Sequence, residues 1–348
     1  MKCYASEYIH WFCKRRSSCV VLVTSFCLLL ILYLSYYLVP TTFIRCRTVY
    51  TLNDSEYLRY SNKISWIYEQ AVLNLTSDTN VQCPQRMYGN VFTNEYQPLL
   101  TLEHRNLNNL NIQSGGIWSP STCRSINEPI ALITPIRNRL QTLQYFIKSM
   151  HSFLQYQSQP YIIIVVNQTG NKLFNRGLLF NVGVLLSPLS VNCFVLSDVD
   201  MIPLKYENQY ICNPEYPKHI SSAISKWNYK IPYNTYFGGI TAFNREQYFE
   251  INGYSSQFWG WGGEDDDAYR RAQNTFMKID RVSAMVGRIF HFHHFKNESA
   301  PVNSERRKLL EVVDSNNDGL STTVKSCKIL SVNMHSFYTE IKVDCQPL

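Results

Sequence analysis

The chain of 348 residues has no C-x-x-C pair among its 11 cysteines, so no zinc ribbon or finger is read from it. It has no internal repeat and no low-complexity segment, which sets repeat arrays and disordered tracts aside. The formal charge is +7, yet the basic residues form no long run, so no nucleic-acid partner is expected. One stretch has no charge at all. Ser17–Val39 holds 23 uncharged, mostly apolar residues behind Lys14, Arg15 and Arg16. That length spans a bilayer, whereas a signal peptide has a shorter apolar core and a small-residue cleavage site. The basic flank is expected to keep the N-terminus cytosolic, making a single-pass type II protein.

What is present fits an oxidising compartment beyond the span. Six cysteines lie well past it: Cys83, Cys123, Cys193, Cys212, Cys327 and Cys345. Sequons at Asn53, Asn74 and Asn297 fit glycosylation there, while the one at Asn167 follows an apolar strand and is expected to be buried. Aromatics make up 14% of the chain, with 24 tyrosines, which excludes a disordered composition. Residues 40–124 are polar and asparagine-rich and read as a stem. Residues 125–348 read as the working domain. Ile130–Thr134 is an apolar run ended by Pro135, and helical spacing starts at Leu140. "YIIIVVNQ" is a second buried strand, "FNRGLLFNVGVLLS" a helix and "NCFVLSDVD" a third strand. That alternation predicts an α/β fold with a mostly parallel sheet flanked by helices. Ligands then bind beyond the carboxyl ends of the strands.

The residues at those ends suit a nucleoside diphosphate. Arg137 and Arg139 offer guanidinium forks for phosphate oxygens. Phe174 offers a stacking face and Arg176 another fork. Asp198 and Asp200 form a D-x-D suited to a hard divalent cation. Three of the chain's eight histidines, His291, His293 and His294, fall within four residues. One Asp with two His suits Mn²⁺ better than Mg²⁺. Taken singly, each of these residues reads as an ordinary surface or core side chain; together they favour a site.

"FWGWGGEDDDAYRR" is the remaining constellation. Gly260, Gly262 and Gly263 around Trp259 and Trp261 predict a mobile aromatic flap that can lie against a sugar face. Glu264–Asp267 read either as the solvated first turn of a helix or as sugar ligands that include a general base.

These motifs resemble the β-1,4-galactosyltransferases, type II Golgi enzymes of the GT-A fold, a Rossmann-like mixed sheet. "PIRNR", "FNRGLLFNVG", "NCFVLSDVDMIP", "YFGGITAF" and "INGYSSQFWGWGGEDDD" stand in family order. The resemblance implies that Pro135, Arg137, Arg139, Phe174, Arg176, Asp198, Val199, Tyr236, Gly239 and Trp261 bind UDP-galactose. It implies acceptor contacts at Tyr236, Trp261, Gly263, Asp265 and Asp266. Glu264 would hold the galactose and Asp265 would deprotonate the acceptor 4-hydroxyl, with inversion. Mn²⁺ would sit on Asp200, His291 and His294, with His293 as the alternative. Cys83 with Cys123 and Cys193 with Cys212 match the family's disulfides, and Cys327 with Cys345 would be an extra pair. Tyr236 favours galactose over N-acetylgalactosamine, because a tyrosine there crowds a 2-N-acetyl group. An N-acetylgalactosaminyltransferase and an inactive lectin-like protein are the competing readings. The chain departs from the family at Asn303 and Ser304, where Arg and Phe normally line the acceptor's N-acetyl pocket. GlcNAc, xylose or glucose on a glycoprotein or glycolipid therefore all stay open as acceptors.

Overall fold

A computed structural model of the chain describes residues 54–75, 89–91, 102, 106–120, 128–292, 300–312 and 314–348. The elements are α1 (Ser55–Leu75), β1 (Ile117–Trp118), β2 (Ile130–Ile136), α2 (Leu140–Tyr156), β3 (Tyr161–Thr169), α3 (Arg176–Leu186) and β4 (Cys193–Ser197). Short strands β5 (Met201–Pro203), β6 (Lys218–His219) and β7 (Ala223–Ile224) follow, then β8 (Ile240–Asn244), α4 (Arg245–Glu250) and α5 (Glu264–Asn274). The last are β9 (Asp280–Arg281), β10 (Arg288–His291), α6 (Arg306–Val312), α7 (Leu320–Ser326), β11 (Cys327–Met334) and β12 (Thr339–Cys345).

The main sheet runs β11-β12-β3-β2-β4-β8-β6-β9. Its centre, β12-β3-β2-β4, is parallel, and β8 joins β4 antiparallel. Every residue of β2 is buried, as expected of a parallel strand covered on both faces. The two-residue period sorts its side chains. Ala131 and Ile133 face the core under α1 and α3, while Ile130 and Leu132 face the core under α2. Helix α3 starts at Asn175, whose side chain accepts from Leu178 N–H at 3.0 Å. It sits close to the sheet because Gly183 has no Cβ, which would overlap Ile133.

Pro135 does not end β2, as its residue type predicts, but pairs with Val166 of β3. The ladder to β4 has already stopped at Ile133, so one side of Pro135 has no neighbouring strand to satisfy. Among the described residues, the stretch 40–124, expected to be a stem, contributes α1 and β1 to the fold. Tyr57, Ile64 and Tyr68 of α1 are buried against the core, and the Tyr57 hydroxyl donates to the Cys327 carbonyl at 2.8 Å. β1 pairs antiparallel with β3. The polar average of that stretch hides the apolar stripe at helical spacing.

Disulfides Cys193–Cys212 and Cys327–Cys345 are formed. The expected Cys83–Cys123 pair, Asn53, Asn297 and the apolar segment Ser17–Val39 lie outside the described residues, as does the Asn74 side chain. Among the described residues no helix is long and apolar enough to cross a membrane. Asn167, expected to be buried, is half-buried, and its amide donates to Glu340 at 2.9 Å.

Candidate active site

A cleft of about 730 Å³ opens at the carboxyl ends of β2 and β4. One wall comes from the end of β2, with Pro135, from the segment after it, with Arg137 and Arg139, from the start of α3 and from the β4–β5 turn. The Arg139 guanidinium donates to Asp200 at 2.8 Å. Arg176 donates to Asp198 at 2.5 Å and reaches Glu264 at 3.4 Å, with its flat face 4.6 Å from the Phe180 ring centre. Arg137 donates to the Lys172 carbonyl and lies 5.9 Å from the Phe174 ring centre. Burial raises the Asp198 carboxyl, against the lowering charge of Arg176.

A second small sheet completes this wall. Strand β10 pairs with β5 so that His291 stands opposite Met201. This brings His291 Nε2 to 3.9 Å from Asp200, and both residues are buried. A carboxylate oxygen and an imidazole nitrogen at one point form part of a set that suits Mn²⁺. His293 and His294 lie outside the described residues, and among the described residues no group of three or more metal-ligating side chains occurs.

The other wall is the flap and α5. Gly260, Gly262 and Gly263 all have φ near +100°, at +92°, +104° and +102°, which lets the chain turn tightly into the helix. The two flap tryptophans diverge. Trp259 packs against the core, while Trp261 is 55% exposed and lines the cleft. The flap is zipped to the segment before α6: Trp261 N–H donates to Pro301 at 2.8 Å and Asn303 N–H donates to Trp261 at 3.0 Å.

The four consecutive acids have separate fates. Asp267 is fully buried and pairs with Arg271 at 2.5 Å and Arg270 at 2.6 Å, so it is a strut. Arg271 also holds Asp318, which in turn holds Ser255 and Ser256 ahead of the flap. Asp266 accepts from the Tyr233 hydroxyl at 2.8 Å. Glu264 is buried, and its Oε2 has no hydrogen-bond partner, which leaves one buried acceptor unused. Burial, then the charge of Glu264, pushes the Asp265 carboxyl up to about 7, against the lowering influence of Arg176. That is a fitting value for a base working near neutrality.

The predicted donor and acceptor residues, from Pro135 through Val199, Tyr236, Gly239 and Gly263 to Asp266, all line this one cleft. Among the residues not singled out from the sequence, four shape the loop around Tyr236 and Asp265. Trp227 stands edge-on to Tyr236 at 5.1 Å. Tyr233 holds Asp266. Arg281, from β9, donates to the Tyr236 and Asn234 carbonyls at 2.8 and 3.0 Å and fixes that loop. Gly238 matters because a Cβ there would overlap the Asp265 carboxylate. The dense aromatics of "KWNYKIPYNTYFGG" were the available signal for Trp227 and Tyr233. Asn303 and Ser304 do not line the cleft. The Asn303 side chain turns to accept from Glu305 N–H at 2.9 Å, and Val302, Arg306, Arg307 and Leu310 line the cleft at this edge.

Two family profiles cover most of this domain. One, described as the N-terminal region of glycosyl transferase group 7, matches residues 81–213. The other, described as the N-terminal domain of galactosyltransferase, matches residues 218–295. β-1,4-Galactosyltransferase 4 of Cricetulus griseus is 40% identical over 253 residues, which is 72% of this chain and 72% of that protein. This chain belongs to the β-1,4-galactosyltransferase family. β-1,4-Galactosyltransferase 1 of Mus musculus is 40% identical over 242 residues, covering 68% of this chain and 59% of the relative. The crystal structure of the catalytic domain of Drosophila β-1,4-galactosyltransferase 7 with xylobiose superposes with a TM-score of 0.56 at 26% identity, covering 64% of this chain and 95% of that one. A mutant of the same enzyme, bound to manganese, UDP-Gal and xylobiose, gives the same TM-score at 25% identity. The mixed α/β sheet with its parallel centre is GT-A-like, as the sequence predicts.

Proposed function

We propose that this chain transfers galactose from UDP-galactose to the 4-hydroxyl of a terminal sugar on a glycoprotein or glycolipid, with inversion, using Mn²⁺. The observation that carries the reading is the convergence in one cleft of Arg137, Arg139 and Arg176, the acids Asp198 and Asp200, and Glu264–Asp266 behind Trp261. Arg137 and Arg139 would hold the diphosphate with charge-assisted hydrogen bonds. Arg139 would exchange its bond to Asp200 for one to phosphate. The free oxygen of Glu264 would accept a galactose hydroxyl. Asp265, ionised, would take the proton of the acceptor hydroxyl as that oxygen attacks the anomeric carbon. The bond from that carbon to the diphosphate oxygen breaks on the opposite face, and UDP departs. Asp200 and His291, with His294 or His293, would hold Mn²⁺, which supplies positive charge to the leaving diphosphate.

Tyr236 supports galactose as the donor sugar. It is buried between Trp227 and Gly238, so little room is left beside it for an N-acetyl group. The two disulfides support a lumenal, oxidising location, and we place the chain in the Golgi membrane with Ser17–Val39 as its anchor. The test incubates the purified chain with Mn²⁺ and either UDP-galactose or UDP-N-acetylgalactosamine, against β-glycosides of GlcNAc, xylose and glucose. Galactose transfer to any of these supports the proposal. No transfer and no hydrolysis of UDP-galactose would return the lectin-like reading.

A further inference from the structure

The loop 234–239 brings Tyr236 to the cleft, and its carbonyls are held by two side chains that do not themselves line the cleft. His219 is fully buried, and its Nε2–H donates to the Gly238 carbonyl at 2.9 Å. Its Nδ1 accepts from the Arg281 guanidinium, which also donates to the Tyr236 carbonyl at 2.8 Å and the Asn234 carbonyl at 3.0 Å. The partners fix the tautomer, because a carbonyl only accepts and a guanidinium only donates. Burial, then the charge of Arg281, pushes the imidazole down to about 3, so it stays neutral. Ser221 adds a second donor to Gly238 at 2.9 Å and accepts from Ile240 N–H at 2.7 Å.

The edge of the main sheet puts this pair together. Strands β6 and β9 have two residues each, and their pairing sets His219 beside Arg281. On its other side β6 pairs His219 with Thr241 of β8, the strand that the loop enters. The Tyr236 ring stands edge-on to His219 at 5.5 Å and to Trp227 at 5.1 Å. A Cβ on Gly238 would overlap the Asp265 carboxylate and crowd the Tyr236 hydroxyl. A small shift of this loop therefore reaches the tyrosine ring and the acid together.

We infer that His219 and Arg281 are a positioning pair that holds the Tyr236 ring in place and so sets the choice of galactose over N-acetylgalactosamine in the donor. This rests on the galactosyl-transfer reading. Neither residue touches the sugar; each acts through the carbonyls of the loop. Without His219 the Arg281 guanidinium would lose an acceptor and the Gly238 carbonyl a donor, and the loop would move to find new partners. A displaced Tyr236 would then leave room for the 2-N-acetyl group.

The test compares kcat/KM for UDP-galactose and UDP-N-acetylgalactosamine, with Mn²⁺ and one acceptor glycoside, in the unaltered chain, His219→Leu, His219→Gln and Arg281→Met. The ratio of N-acetylgalactosamine to galactose transfer should rise at least about fivefold in His219→Leu and Arg281→Met, the scale of one buried hydrogen bond. In His219→Gln the ratio should stay near that of the unaltered chain, because the amide can both donate to Gly238 and accept from Arg281. Calorimetric binding of UDP, which carries no sugar for Tyr236 to read, should be unchanged and shows that each variant is folded. Arg281 is only half-buried, so Arg281→Met answers the question even if His219→Leu does not fold. Equal losses for both sugars, with the ratio unchanged in variants that bind UDP, would make the pair a structural prop and overturn the inference. If the unaltered chain transfers neither sugar, calorimetric binding of the two nucleotide sugars decides. A preference for UDP-galactose that is lost in Arg281→Met keeps the positioning pair and sinks the transferase reading. The same preference in every variant, or none in the unaltered chain, sinks the pair.

Discussion

The two walls of the cleft are built differently. The wall proposed to hold the donor stands on strand ends fixed by the parallel ladder of β2, β3 and β4, and its buried charges meet in close pairs. The acceptor edge is made of loops: the segment around Trp227 and Tyr233, the glycine-rich flap, and the turn into α6. It exposes Trp261 and Val302 and leaves cations without acidic partners among the described residues. Such a preorganised wall suits the proposed nucleotide donor, because preformed charges cost little reorganisation on binding. An acceptor that differs between enzymes suits loops, which change without disturbing the core.

The largest expected effect lies where the walls meet. Asp265→Asn should lower kcat by at least about a hundredfold, the scale of a lost general base, while UDP binding by calorimetry stays within about twofold. Near-normal turnover would place the base elsewhere. Next, Arg139→Lys should raise the KM for UDP-galactose by roughly tenfold, since an ammonium cannot make the forked contact. The acceptor KM should stay put; if it rises equally, the division into two walls fails. Trp227→Ala should do the reverse, raising the acceptor KM by about threefold to tenfold through lost packing beside Tyr236, with little change for the donor. The smallest effect is in the pH profile. As the proposed base, Asp265 would work only when ionised, and its carboxyl is pushed up to about 7 by burial and by Glu264. kcat/KM should therefore climb as pH rises through about 7 and fall away below it. A limb near 4, the value of an unburied carboxyl, would mean that the cleft does not desolvate this group.

Much of the donor wall was legible in the chain. The strand-end rule locates Arg137, Arg139, Asp198 and Asp200, because apolar runs announce strands and a parallel sheet puts ligands at their ends. The acceptor edge was not legible in the same way. Asn303 stands where the family's arginine lines a pocket and here caps a turn, because whether a side chain faces a cleft or its own backbone depends on packing from distant segments. The stem reading of 40–124 missed α1, because polar composition masked an apolar stripe that only the core under α3 and β11 makes useful.

The sequence by itself determined the family, the strand and helix alternation, the cysteines free to pair and the place of the acidic run. Only the tertiary structure decided what each acid became. Asp267 is a strut because Arg271 and Asp318 meet it in the interior, and Asp265 is a candidate base because burial and the Glu264 charge hold its proton more tightly. Four neighbours with nearly the same chemistry differ because burial and partners come from segments far away in the chain.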